Sequence, residues 1–215
     1  MNPRDTRFGS DHFDAFIERS RVEIMRRPLS IDKPLREIIP AMYSAGYSVA
    51  DIRPTYAEYL KSLQHVYPGG ADVLYSMSFA LMLGIEPGER EMLAAIAADD
   101  DFDQPFYAFL EDTLGLEHPP LTGKKGTWRF FPTLQAIPDK EGKQDFIAAY
   151  LKRNWYNSWR SEYWWGYHTR YSGVSYFGYW AWEFGGLVKA WGLDDSSFRT
   201  NRYYPADMAH YLDQN

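Results

Sequence analysis

The chain of 215 residues contains no cysteine. That absence excludes disulfides, thiolate nucleophiles, thiolate zinc sites and iron–sulfur clusters, and it fits a reducing compartment. Long hydrophobic runs are missing as well. The longest nearly apolar stretch, Val73 to Ile85, falls short of the ~20 residues a membrane-spanning helix needs. The N-terminal MNPRDTRFGSDHFDAFIERS is charged throughout and has no apolar core of a secretory signal. A soluble, cytoplasmic protein without a membrane partner is expected.

Chemical motifs are equally sparse. The five histidines, His12, His65, His118, His168 and His210, are scattered, and none stands three or four residues from another. With no H-E-x-x-H and no loop of calcium spacing, no metal site is expected. GVSYF around Ser175 lacks the second glycine of a nucleophile elbow. TGKKGT at 122–127 has neither the spacing nor the preceding strand of a phosphate loop, and no G-x-G-x-x-G occurs. No cofactor and no catalytic residue is assigned on these grounds.

Aromatic residues are abundant, with eight Trp, 17 Tyr and 13 Phe among a 45% hydrophobic composition. Such a chain has ample material for one substantial core, with polar handles on many of its rings. Charge is unevenly spread. Ten acids (Glu86, Glu89, Glu91, Asp99, Asp100, Asp101, Asp103, Glu111, Asp112 and Glu117) face one base, Arg90, between Ile85 and Glu117, so this segment carries −9 in a chain of net −6. A concentrated negative field repels nucleic acid and attracts basic protein surfaces, so direct nucleic-acid binding is not expected.

Apolar spacing is helical along most of the chain, and no run alternates as a strand between hairpin turns. Phe13, Phe16, Ile17 and Ile24 share one face. DKPLREIIPAMYSAGY opens at Asp32 and closes at Gly46, with Pro40 expected to kink or split it. DIRPTYAEYLKSLQHVY is a third helix, closed by Pro68-Gly69-Gly70, and ADVLYSMSFALMLG is apolar nearly all round, as in a buried helix. PGEREMLAAIAADD and DQPFYAFLEDTLG form a short pair. Residues 117–142 read as a long loop with one short helix near Leu134, and helices resume with KQDFIAAYLKRNWYNSWRS and end with PADMAHYLDQ. The fold class is therefore all-α, a multi-helix bundle-like domain with a small helical N-terminal part.

YFGYWAWEFGGLVKAWGLDDSSF, 176–198, packs rings, glycines and one carboxylate together. Projected as one helix, Tyr176, Trp180, Glu183, Phe184, Leu187 and Trp191 fall on one side, and Gly178, Ala181 and Gly185 on the other. That is a central helix that wedges rings into one neighbour and lets another backbone approach across its glycines. The Gly185-Gly186 pair suggests a packing requirement, since glycine weakens a helix interior. Glu183 among apolar residues needs a cation or donor, with Arg153, Arg160 and Arg170 as candidates, or a shifted pKa. Asp194-Asp195-Ser196 after Gly192 reads as a turn.

LKRNWYNSW (151–159), the 176–198 stretch and YYPADM (203–208), in that order, resemble the C-terminal domain of the PoNi family. The shared pattern is filled by Lys152, Trp155, Tyr156, Tyr176, Gly178, Tyr179, Trp180, Glu183, Asp194, Asp195, Ser196, Tyr203, Tyr204, Pro205 and Asp207. Two details differ. Phe184-Gly185-Gly186 stands where alanines are common, and two residues, not one, separate Lys152 from Trp155. Residues 1–68 are assigned to a helical N-terminal part and 69–215 to the C-terminal-like domain.

The resemblance implies an immunity protein, without catalysis of its own, that binds one cognate nuclease effector. Such effectors are DNA-degrading toxins delivered into rival bacteria through type VI and related secretion systems. The motif residues read as core and turn positions. Toxin contact is placed on the acidic surface, at Asp99, Asp100, Asp101, Asp103, Glu111 and Asp112, which can cover a basic DNA-binding cleft. Two alternatives remain: a helical enzyme using Glu183 in an aromatic pocket, and a scaffold protein with no toxin partner.

Overall fold

The computed structural model describes residues 2–27, 31–98, 105–121, 128–170 and 173–213. Eleven α-helices occur among them in chain order: α1 Ser10–Arg26, α2 Asp32–Ala45, α3 Val49–Leu63, α4 Gly70–Leu83, α5 Glu89–Ala98, α6 Pro105–Leu114, α7 Phe130–Ala136, α8 Lys140–Arg153, α9 Trp155–Ser158, α10 Trp182–Trp191 and α11 Ala206–Ala209, followed by a 3-10 turn at Tyr211–Asp213. The described residues contain no strand, so the chain is all-α. No described helix is long and apolar enough to cross a membrane.

The hub is α4. Ten of its fourteen residues are buried, and it packs against α3, α5, α6, α10, α11 and the 3-10 turn. Its sequence is apolar on every side, as a helix surrounded by neighbours requires. α1 packs on α2 and α2 on α3, while buried side chains from Phe13 to Ala209 belong to a single hydrophobic cluster. Two buried polar links fasten the layers. Arg36 of α2 lies 2.6 Å from Asp72 of α4, whose carboxylate also accepts from the Tyr59 hydroxyl and the Gly69 amide. Arg53 of α3 meets Glu89 of α5 at 2.5 Å.

Local signals set the helix ends. Ser48 caps α3, its Oγ accepting from the Asp51 amide at 3.1 Å and donating to the Asp51 carboxylate. Ser48→Ala is expected to lower stability by about 1 kcal/mol, read as a lower urea midpoint at unchanged slope. Gly46 ends α2 in the left-handed region at φ 96°. Of the kink or split expected at Pro40, the split does not occur, and α2 runs through it as one helix. Every residue from Ile38 to Ala45 is buried, and this burial holds the helix together despite the missing amide donor.

A larger departure concerns 176–191. Only Trp182–Trp191 is helical, and 176–181 is irregular and buried. Gly178 has φ 108°, outside any right-handed helix. The segment lies along the end of α2, where Ser44 Oγ donates to the Phe177 carbonyl and accepts from Trp180 Nε1. It also bonds to the C-terminal loop through Ala181 N–H to Tyr203 O, at 2.7 Å. The single-helix projection therefore fails before Trp182. Its reading of the glycine pair holds. A Cβ on Gly185 would sit 2.4 Å from Met82 Sδ, and one on Gly186 3.2 Å from Ser78 Cα, so α10 and α4 approach closely only because both positions lack side chains.

Candidate functional site

Glu183 opens α10 and is 2% exposed. Its partner is an indole: Trp155 Nε1 donates to Oε1 at 2.5 Å. The expected arginines are elsewhere, with Arg153 exposed on α8 and Arg160 and Arg170 each stacked on Trp165. Burial pushes the Glu183 carboxyl up to about 7, with the Trp155 bond pulling the other way.

The carboxyl borders a cavity of about 290 Å³. α9 and the segment after it supply Trp155, Trp159, Glu162, Tyr163 and Trp164; α2 adds Arg36 and Glu37, and α4 adds Tyr75. A second hollow of about 420 Å³ shares Trp128, Trp159, Glu162 and Glu183. At the rim Tyr163 donates to Glu37 at 2.7 Å, and burial raises the Glu37 carboxyl. The sequence singled out Glu183 and, as one alternative, an aromatic pocket around it, but did not name the residues that line the cavity. The signal was present in the tryptophans crowded between 155 and 165, while the contributions of α2 and α4 come from residues over a hundred positions away.

The other motif residues form a junction with the N-terminal segment. Tyr176 donates to Asp5 and accepts from Arg7 Nη1 at 2.8 Å, and the Tyr176 carbonyl accepts from His12. Tyr156 stacks on Trp165 and Tyr203 and packs against Tyr179, whose hydroxyl meets His168 Nδ1 at 3.0 Å. Asp207 pairs with Arg4 at 2.5 Å, and the same guanidinium donates to the Tyr43 and Tyr47 carbonyls at the end of α2. Pro205 is buried, its ring 3.1 Å from where a Gly185 Cβ would lie, and Tyr204 packs edge-on against Phe198.

Asp194 behaves as a turn residue, accepting from the Ser196 amide and hydroxyl. Asp195 does more than the turn reading assigned to it. It is 1% exposed and joins Arg199 at 2.5 Å to His210 at 2.8 Å, pinning the C-terminal helix to the turn.

The acidic segment divides. Asp99, Asp100, Asp101 and Asp103 lie outside the described residues. Glu111, assigned to the contact surface, is 1% exposed on the inner face of α6 and is not presented to a partner. An alternation of apolar and acidic residues in FLEDTL could not say which carboxylate turned inward. Glu89 is likewise buried, against Arg53. Glu86, Glu91, Asp112 and Glu117 are exposed. Arg90 reaches from α5 to the Leu114 carbonyl at 3.0 Å, tying the start of α5 to the end of α6. No cluster of metal-ligating side chains occurs among the described residues.

No curated protein and no solved structure matches the chain. Residues 108–208, from α6 through α11 and nearly half of the chain, match the family model described as "PoNe immunity proteins (PoNi), C-terminal". That stretch contains Glu183, Trp155 and every motif residue traced above, so this C-terminal part of the chain is similar to the C-terminal region of the PoNi immunity proteins.

Proposed function

We propose that the chain binds and neutralises a cognate antibacterial DNase in the cytoplasm, covering the toxin's basic DNA-binding surface with its acidic one and performing no catalysis itself. The observation that carries this reading is the −9 charge of the Ile85–Glu117 segment, which runs into the family-matched residues. A nuclease must present cations to phosphates, and an acidic inhibitor meets such a surface with fast, electrostatically steered association. The contact set is Asp99, Asp100, Asp101, Asp103 and Asp112, with exposed Glu86, Glu91 and Glu117 extending it; buried Glu111 drops out.

Charge reversal of Asp99, Asp100, Asp101 and Asp103 together, with the fold intact by circular dichroism, is expected to weaken toxin binding at least tenfold at low salt. The loss should sit mostly in the association rate, shrink as salt is raised, and be matched by lost protection of cells expressing the toxin. Unchanged affinity at low and moderate salt overturns the acidic-surface reading. The toxin to use is the one encoded beside this gene; absence of a neighbouring nuclease counts against the DNase assignment.

A further inference from the structure

The cavity over Glu183 has a chemistry that the acidic-surface reading leaves unused. We propose that it receives one lysine or arginine side chain of the nuclease partner, the cation held between tryptophan faces with Glu162 and Glu183 as its counter-charges. The proposal rests on the toxin-binding reading and deepens it. It names a single anchor point in addition to the acidic face.

Four observations converge. At about 290 Å³ the cavity lies at the small end of the range for ligand sites, suited to one long side chain. Its walls include Trp155, Trp159, Trp164 and Trp180, and indole faces are the strongest aromatic partners for a cation. Lys33 already uses this chemistry at the rim, its Nζ 4.9 Å from the Tyr163 centroid.

The third observation is charge. Glu37, Glu162 and Glu183 border the cavity against Arg36, which is committed to Asp72 at 2.6 Å, and Lys33 at the rim, which acts on Glu37. Among the described residues no cation pairs with Glu162 or Glu183. The fourth is hydrogen bonding. The buried indole N–H groups of Trp128 and Trp159 find no acceptor among the described residues, and the peptide carbonyls of a docked basic segment would supply one. An anchor of this kind, a charged side chain in an aromatic pocket near the centre of an interface, dominates binding elsewhere. It would also withdraw from the nuclease a residue of the type that contacts phosphate.

The test uses the full chain and two neutral-backbone probes, N-acetyl-arginine amide and its uncharged isostere N-acetyl-citrulline amide, followed by tryptophan fluorescence. The arginine probe is expected to bind at least tenfold more tightly than citrulline, and Glu162→Gln to remove most of that preference. The same half-buried substitution should weaken toxin binding about tenfold, with thermal unfolding showing that the fold survives; Glu37→Gln provides a second variant should it not. Equal binding of the two probes overturns the proposal, as does toxin affinity insensitive to both substitutions. In the latter case, with the toxin still bound, the immunity reading stands and only the cavity assignment falls. A parent chain that prefers the arginine probe but binds no neighbouring nuclease leaves a cation site and overturns the toxin-binding reading instead.

Discussion

Gly178→Ala is expected to destabilise the protein by roughly 3–5 kcal/mol and to lower its melting temperature by about 10 °C or more. Two separate effects add. At φ 108° an L side chain is strained by about 1–3 kcal/mol. The new methyl would also lie 1.9 Å from Ser44 Oγ and 2.8 Å from Trp180 Nε1, so the serine hydroxyl must leave. Ser44 is fully buried and joins the Phe177 carbonyl to the Trp180 indole; losing both bonds costs about 1 kcal/mol each. Gly88→Ala separates the contributions, because Gly88 has φ 85° but nothing within 4 Å of its added Cβ. That control should lose only about 1–2 kcal/mol. Equal losses at the two glycines, measured by urea unfolding, would show that the Ser44 relay carries no weight.

The same glycine marks the limit of what the sequence could show. Helical spacing located α4, the glycine-dependent contact of α10 upon it, and the short α7 inside a proline-rich connection, because each is decided by local pattern or by a residue's lack of a side chain. It carried the helix of α10 back to Tyr176 because tyrosine and tryptophan fit a helix face or an extended segment equally well. What excludes the helix there is one positive φ, set by a serine 134 positions away in sequence, and no window of neighbouring residues contains it.

Charge was legible as a total and not as a placement. The −9 segment was visible at once, yet Glu89 and Glu111 turn inward and one of them neutralises Arg53. Glu183 shows the same limit from the other side. Its burial and its shifted carboxyl followed from its apolar neighbours, whereas its partner did not. A cation or a donor was expected, with three arginines as candidates; the partner is a donor, but an indole N–H, which relieves less of the desolvation of a carboxylate than a guanidinium would. The N-terminal residues Arg4, Asp5 and Arg7 gave no signal at all, since clasping Asp207 and Tyr176 is a matter of chain return and not of pattern.

Glu183→Gln is expected to stabilise the free protein by about 3 kcal/mol at pH 8 and to leave it nearly unchanged near pH 4. The folded carboxyl titrates at about 7, against an ordinary value of 4.5. Between those values the folded chain holds a proton that the unfolded chain has released, so stability must fall as pH rises. The favourable contribution of the neutral acid is complete below pH 4.5 and gone above pH 7. A gap of two to three pH units corresponds to about 3 kcal/mol. Glutamine keeps an oxygen to accept from Trp155 and cannot ionise, so its stability curve should be flatter across this window by that amount. Tyr75 and Tyr150 feel the Glu183 charge, and both are neutral throughout the range, so they leave the difference intact. Parallel curves for parent and variant from pH 4 to 8 would overturn the account. A carboxylate that weakens the free protein at neutral pH is most useful once a cation enters beside it. Saturating arginine probe should therefore raise the parent's stability at pH 8 more than the variant's, narrowing the gap that the substitution opened.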